Sequence, residues 1–346
     1  MNSDPVSPRS IEGARCLITG GAGFLGQNLS RALLERGCEV HVLDRVQSPI
    51  NDARLKNFTA DLLDERAMRE SLKGVTIVFH TAAMIELSEL APRALKERVR
   101  AVNIDATARL LELSEEAGVE RFIHTSSAAV ALEARCAGGD ESLPYSSLPD
   151  LYTTTKVAAE KLVRAKNGET MRTVSLRPGG IYGPGETGQL LAPAIRMMRG
   201  GDPLTVLGDG LSRLDYTFID NLVDAHLRAA ERLIPESPVN GAAYFVMDGQ
   251  PMNHGEFMRR QLEAAGTIPR IRHIPAKIAW SLAEISEQAH LRFGKKPLLT
   301  RAQCRTCLFD FHFKIDAAKR DLGYAPISTH EGIERTVDYI GELLLR

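Results

Sequence analysis

Thr19-Gly20-Gly21-Ala22-Gly23-Phe24-Leu25-Gly26 follows the apolar run at residues 16–19 and opens an amphipathic stretch that continues to Arg36. A strand that enters a helix through glycines is suited to hold a dinucleotide's pyrophosphate. A Cβ would block both the tight turn and the close backbone approach, and the helix N-terminus presents free N–H donors with partial positive charge. Asp44 ends the next apolar run, 18 residues after Gly26, where a carboxylate would accept hydrogen bonds from an adenosine ribose. A 2′-phosphate about 4 Å from that carboxylate would be repelled by roughly 4 kcal/mol per unit charge at an effective dielectric of about 20, which favours NAD over NADP. Arg45, next in sequence, can offset part of that repulsion and keeps NADP open.

Outward from this turn, strand-like runs at residues 39–43, 75–80, 121–125 and 173–176 alternate with helical stretches at residues 24–36, 64–72, 92–117 and 151–166. That alternation predicts an α/β fold with a doubly wound parallel sheet. Residues 13–177 read as the dinucleotide-binding domain, after a flexible tail over residues 1–12 rich in Pro and Ser. Residues 178–346 read mainly as a smaller substrate-binding lobe, interleaved with the first through segments that return to its sheet. Loop-rich GGIYGPGETG (179–188) and GGDPLTVLGDG (200–210) mark the change, with helices expected near residues 192–198 and 221–233. A helix over residues 274–293 carries an apolar face interrupted by Glu284, Glu287 and Arg292. It reads as a surface helix, with peripheral membrane contact left open.

Composition narrows the class. The 346 residues are 44% hydrophobic and 25% charged, with 43 Lys+Arg against 44 Asp+Glu, which argues against a disordered chain and against a nucleic-acid partner. A small or neutral ligand fits better. Five scattered cysteines do not form a disulfide framework and suit a reducing compartment. With neither an apolar run of membrane length nor a secretory h-region, a cytoplasmic location is expected. Cys304 and Cys307 lack a second pair at zinc spacing, and no metal is expected. Phe309, Phe311 and Phe313 alternate with polar residues, as a half-buried strand would.

Tyr152-Thr153-Thr154-Thr155-Lys156 places a phenol and an ammonium on one helix face. A phenol with pKa of about 10 is a poor base at neutral pH, and lowering it by about three units requires roughly 4 kcal/mol of differential stabilisation, which a Lys charge can help to supply. His124-Thr125-Ser126-Ser127 ends the strand expected beside this pair, where a hydroxyl can reach a reacting oxygen while the other serine caps the strand end.

Together TGGAGFLG, VFHTAA (78–83), FIHTSS (122–127), YTTTK and RPGGIYGPG (177–185) resemble the extended short-chain dehydrogenase/reductase family. DESLPY (140–145), DYTFIDN (215–221), AYFVMDG (243–249) and LGYAP (322–326) make the chain most similar to its 3β-hydroxysteroid dehydrogenase and sterol-4α-carboxylate 3-dehydrogenase branch. The resemblance implies a Rossmann sheet and NAD as cofactor. It also implies Tyr152 as acid/base, Lys156 lowering its pKa and holding the nicotinamide ribose, and Ser127 orienting the substrate oxygen. Gly20, Gly23, Phe24, Leu25, Gly26, Asp44 and Arg45 would hold the cofactor, with Asp61 and Leu62 at the adenine. Ala82, Ala83 and Asn103 would line its cleft, and Pro178, Gly179 and Ile181 would pass the carboxamide. A homodimer through residues 92–117 and 151–166 is a further implication.

The expected activity is NAD-dependent oxidation of a 3β-hydroxyl on a hydrophobic sterol- or steroid-like alcohol to the 3-ketone, with decarboxylation of a 4-carboxylate left open. Where the family's nucleotide-sugar enzymes carry Asn and Arg for their substrate, this chain has Gly180 and Leu214, and Arg213 would point to the opposite strand face. The alternatives are an NADPH-dependent reductase of a bulky or long-chain ketone, a nucleotide-sugar epimerase, and a cofactor-sensing protein without catalysis.

Overall fold

The computed structural model describes residues 7–86, 91–132, 136–186, 195, 201, 203–294 and 297–345. Seven strands form the central sheet: β1 (Arg15–Thr19), β2 (Glu39–Asp44), β3 (Leu55–Thr59), β4 (Ile77–His80), β5 (Arg121–Thr125), β6 (Arg172–Arg177) and β7 (Ala243–Phe245). Their order is β7-β6-β5-β4-β1-β2-β3, and every adjacent pair is parallel. This is a Rossmann-type doubly wound sheet, with its reversal of strand order between β1 and β4.

Side chains alternate along each strand, so β1 feeds two cores. Cys16 and Ile18 join Leu25, Leu29 and Leu33 of helix Phe24–Glu35 together with Leu222 and Ala225 of helix Ile219–Arg232. Leu17 faces the other way, onto Met68, Leu110, Leu113 and Val163. Strands buried on both faces explain why the sheet reads as nearly continuous apolar runs.

Strands from distant parts of the chain build a second, four-stranded sheet. Its order is Met252–Asn253, Arg213–Leu214, Phe311–Phe313 and Cys136–Gly139. Cys136–Gly139 thus comes from the first half of the chain, while β7 crosses back into the central sheet beside β6. Phe311 and Phe313 are buried in their strand, as their alternation with polar residues predicts.

Three local outcomes differ from the sequence expectation. The helix expected over residues 92–117 is two α-helical segments, Arg93–Arg100 and Ala106–Glu116, joined by a wider π turn at Ala101–Asp105. The start of the 274–293 helix is strand Ile271–Ile274, and Pro275 precedes the helix Ala276–Phe293. Proline is accommodated there because the first helical amides need no intrahelical acceptor. Near the N-terminus, the Arg9 N–H donates to the Glu231 carbonyl at 2.8 Å and Ile11 is buried, so the chain is docked before residue 12. The helix expected near residues 192–198 lies outside the described residues, apart from Ile195. Among the described residues no helix is long and apolar enough to cross a membrane.

Candidate active site

The glycine turn is closed by its own backbone. Gly20 has φ +72°, its N–H donates to the Leu43 carbonyl at 2.9 Å, and its carbonyl accepts from Gly23 N–H at 3.0 Å. A Cβ on Gly26 would lie 2.2 Å from the Gly20 oxygen and 2.5 Å from the Gly21 Cα. Gly23 caps helix Phe24–Glu35 without a side-chain hydrogen bond, so the first-turn amides have no capping side chain as competitor for a ligand. Asp44, at the end of β2, reaches back to this turn: its carboxylate accepts from Ala22 N–H at 3.0 Å and from Val46 N–H at 3.3 Å.

A groove of about 230 Å³ runs from this turn along the strand ends and is lined by Gly20, Gly23, Asp44, Arg45, Asp61, Leu62, Ala82 and Ala83. Asp61 is ion-paired with Arg98. Burial raises its pKa, but the Leu63 N–H and Arg98 outweigh this and hold the carboxyl below its ordinary value. Thr81 and Ala83 also line a neighbouring cavity of about 370 Å³, so the two spaces lie on either side of shared residues. Bare helix amides, a turn with no room for Cβ atoms and a carboxylate at the end of β2 fit a dinucleotide.

The larger cavity brings together Leu25, Ser127, Tyr152, Lys156, Pro178, Gly179 and Ile181. Asp150 starts the helix Leu151–Ala165 by accepting from Thr153 N–H at 2.8 Å, which sets Tyr152 in the first turn and Lys156 one turn on. Ser127 accepts from Ala129 N–H at 3.2 Å and is hydrogen-bonded to the Tyr152 phenol. Ser126 turns away, donating to Glu160 at 2.5 Å. Both serines line the cavity, but the Ser126 hydroxyl is committed to a buried acid.

The electrostatics at Tyr152 depart from the expected picture. Burial pushes the phenol pKa up, the Ser127 hydrogen bond opposes this, and the Asp150 charge adds to the rise. Lys156 is not among the causes. Its Nζ donates to the Thr125 carbonyl at 2.8 Å, and burial brings its pKa down to about 8, with Glu160 opposing. A lone ammonium tethered to the β5 carbonyl does not by itself make Tyr152 a base.

Three residues expected at the cofactor are not among those that line either space: Asn103, Phe24 and Gly26. Asn103, in the π turn, is buried; its amide accepts from Met84 N–H at 2.8 Å and donates to the Met84 carbonyl at 2.9 Å and to Thr155 at 3.0 Å. It braces the groove wall and does not line it. Phe24 packs against the larger core, near Gly185, and Gly26 contributes only its missing Cβ.

Sequence reasoning missed the brace behind the cavity. Glu160 is completely buried, paired with Arg177 at 2.6 Å, and accepts from Ser126 and Tyr145. Its signal was the continued four-residue spacing of positions 152, 156 and 160 on one helix face. Also missed were cavity walls supplied from afar: Leu132, Leu148, Met247, Phe311 and Phe313, and one face of helix Arg301–Leu308 bearing Ala302, Arg305 and Thr306. Gly180 and Leu214 do line the cavity, whereas Arg213 is exposed on the opposite strand face.

Next to Leu214, Asp215 also lines the cavity and forms a buried acidic pair with Asp248. Burial, then the Asp248 charge, raises Asp215 to about 7 against the Gln250, Gly249 and Tyr216 amides. Burial raises Asp248 to about 6 despite hydrogen bonds from Phe218, Asn221, Tyr182 and Thr329. Both folded values exceed the ordinary 3.8, so the folded chain binds more protons than the unfolded one in that interval. Their contribution to stability is complete below about pH 4 and is lost as pH rises through about 7, at up to about 1.4 kcal/mol per pH unit per group. Asp215→Asn is expected to flatten the decline in urea-unfolding free energy between about pH 4 and 7. An unchanged slope would place the titrating group elsewhere.

The model of the 3-beta hydroxysteroid dehydrogenase/isomerase family matches residues 17–275. A Mycobacterium tuberculosis protein named 3 beta-hydroxysteroid dehydrogenase/Delta 5-->4-isomerase is 38% identical, over 92% of this chain and 88% of its own. A Homo sapiens protein named sterol-4-alpha-carboxylate 3-dehydrogenase, decarboxylating, is 32% identical over 97% and 91%. Among solved structures, MoeE5 in complex with UDP-glucuronic acid and NAD is similar at TM-score 0.74 and 25% identity, covering 94% of this chain and 98% of that one. With the family model spanning most of its length and a relative matched nearly end to end, this chain belongs to the 3-beta hydroxysteroid dehydrogenase/isomerase family.

Proposed function

We propose that this chain oxidises the 3β-hydroxyl of a sterol- or steroid-like alcohol to the 3-ketone, with NAD as the electron acceptor. One observation carries the proposal: Ser127, Tyr152 and Lys156 meet in a cavity walled by Leu132, Leu148, Leu214, Met247, Phe311 and Phe313 that shares Thr81 and Ala83 with the groove at the glycine turn. An apolar substrate skeleton suits such walls, with a few polar groups fixing its orientation. The curated relatives named for steroid and sterol substrates support the same substrate class.

Ser127 holds the substrate oxygen against the phenol, and Tyr152 takes the hydroxyl proton as the carbonyl forms. Lys156 is anchored on Thr125 and would hold the nicotinamide ribose. When bound, NAD would supply the acceptor for the carbinol hydrogen with its electron pair, and its pyridinium charge would favour an ionised phenol. The free amides of the glycine turn would receive the pyrophosphate, Asp44 the adenosine ribose, Asp61 and Leu62 the adenine, and Pro178, Gly179 and Ile181 the carboxamide edge. A substrate carrying a carboxylate β to the new ketone could lose carbon dioxide without another protein group. A homodimer through residues 92–117 and 151–166 and a cytoplasmic setting complete the proposal, the latter supported by five free thiols.

With purified protein and NAD, a 3β-hydroxysteroid should generate reduced-nicotinamide absorbance while its 3α epimer does not. Equal rates with both epimers, or turnover of a UDP-sugar in place of either, would overturn the assignment.

A further inference from the structure

His80 ends β4 and takes part in none of the steps described above. Its side chain is buried, as are those of Thr19, Asn103, Thr107 and Thr155. One ring nitrogen, Nδ1, lies 2.7 Å from Oγ1 of Thr19, its register partner on β1 and the last residue before the glycine turn. The other, Nε2, lies 2.8 Å from Thr107 Oγ1, in helix Ala106–Glu116 just past the π turn. Burial, and then the Lys156 charge, bring the ring's pKa down to about 3, so it is neutral and carries one N–H.

The partners decide which nitrogen carries it. The Thr107 hydroxyl gives its single proton to the Asn103 carbonyl at 2.8 Å, and so toward His80 it can only accept. Nε2 is therefore the donor and Nδ1 the acceptor, which leaves the Thr19 hydroxyl donating to the ring. Beyond the π turn the direction is kept: the Asn103 amide donates to Thr155 Oγ1 at 3.0 Å, and that hydroxyl donates to the Tyr152 carbonyl at 3.0 Å. Every side-chain proton in the series points from the glycine turn toward the helix that bears Tyr152. Aligned bonds polarise one another, and a buried member left without its partner is costly. His124 packs against the His80 ring with centroids 5.7 Å apart and is itself bonded to Ser175 at 3.3 Å.

We propose that His80 is a positioning residue: as the neutral Nε2–H tautomer it fixes the spacing between the glycine turn and helix Leu151–Ala165, so that the seat of the pyrophosphate and the Tyr152 phenol stay in register along one dinucleotide. The purpose of that register rests on the oxidation proposed above; the tautomer does not.

The first measurement is nitrogen NMR of the full chain labelled at histidine, with the His80 signal identified by its loss in His80→Asn. Nε2 should be protonated and Nδ1 bare, with no titration between about pH 5 and 8, where an ordinary histidine changes charge. A proton on Nδ1, or titration in that interval, would overturn the proposal. The second measurement cuts the series at either end. An Asn side chain ends at the Nδ1 position and a Gln side chain at the Nε2 position, so His80→Asn keeps an acceptor for Thr19 and His80→Gln keeps a donor for Thr107. His80→Gln should raise the Kd of NAD about fivefold or more with kcat at saturating NAD within about twofold of the parent, and His80→Asn should do the reverse. Thr19→Val and Thr107→Val, which leave the ring in place, should reproduce the two patterns and stand in for a His80 variant that does not fold. Affinity and kcat falling together in all four, in step with thermal stability, would make His80 a packing residue only and overturn the proposal. A parent that binds NAD yet turns over no 3β-hydroxysteroid would strike the oxidation alone, and the Kd values of the four variants would still decide for or against His80.

Discussion

Tyr152→Phe is expected to lower kcat for steroid oxidation by about 10²- to 10⁴-fold, the range supplied by a positioned acid or base. The substitution keeps the aromatic volume and deletes one oxygen, whose identified partner is Ser127. Removing that hydrogen bond costs about 1 kcal/mol, so the fold and the binding of NAD, followed by calorimetry, should change little. The selectivity of the loss makes the measurement decisive: a group acting only through packing would affect binding and turnover together. Turnover within threefold of the parent would show that another residue removes the proton. Because burial holds the phenol above its ordinary pKa and Lys156 is occupied at Thr125, the binary complex with NAD should titrate below the free protein. The pH profile of kcat/KM for NAD, set against that of kcat/KM for the steroid at saturating NAD, reads this difference.

Gly26→Ala is expected to be the most damaging one-carbon addition among the described glycines. The new Cβ would meet the Gly20 oxygen at 2.2 Å and the Gly21 Cα at 2.5 Å, and neither is a side chain that can swing aside. Helix Phe24–Glu35 must lift from the turn, at a cost of about 1–3 kcal/mol for overpacking, and its amides leave the pyrophosphate position. NAD affinity should fall tenfold or more, equivalent to at least about 1.4 kcal/mol. Gly341→Ala is the matched control: it lies in helix Thr329–Leu345 with nothing within 4 Å of its added carbon. Helix propensity there favours alanine by up to about 1 kcal/mol. Equal effects at the two positions would remove the steric explanation.

The sheet and the glycine turn were legible because both are written in local chemistry. Period-two burial over Cys16, Leu17 and Ile18, glycines at the strand exit and a carboxylate at the end of the next strand each follow from neighbours in sequence. The Tyr152 and Lys156 spacing was equally local. What Lys156 bonds to was not, since the Thr125 carbonyl reaches it only once β5 and the helix Leu151–Ala165 are packed. Asn103 was assigned to the cleft because its position was legible but its π turn was not: one extra residue in the helical repeat turns the amide onto Met84. The substrate side was least readable. Ala302, Arg305 and Thr306 carry no motif and reach the cavity only through the path of the chain after residue 297.

The exchange of strands between the two sheets bears on how this protein can be made and cut. Cys136–Gly139 waits for Phe311–Phe313, and Arg172–Arg177 waits for Ala243–Phe245. A nascent chain released at residue 177 would carry an open sheet edge with unpaired amides, exposed to aggregation. Expression of either half alone should yield inclusion bodies, and a protease nick in a connecting loop should leave two fragments that comigrate until denaturant is added. Evolution can vary the loops above the sheet, but it cannot transplant either lobe without the other.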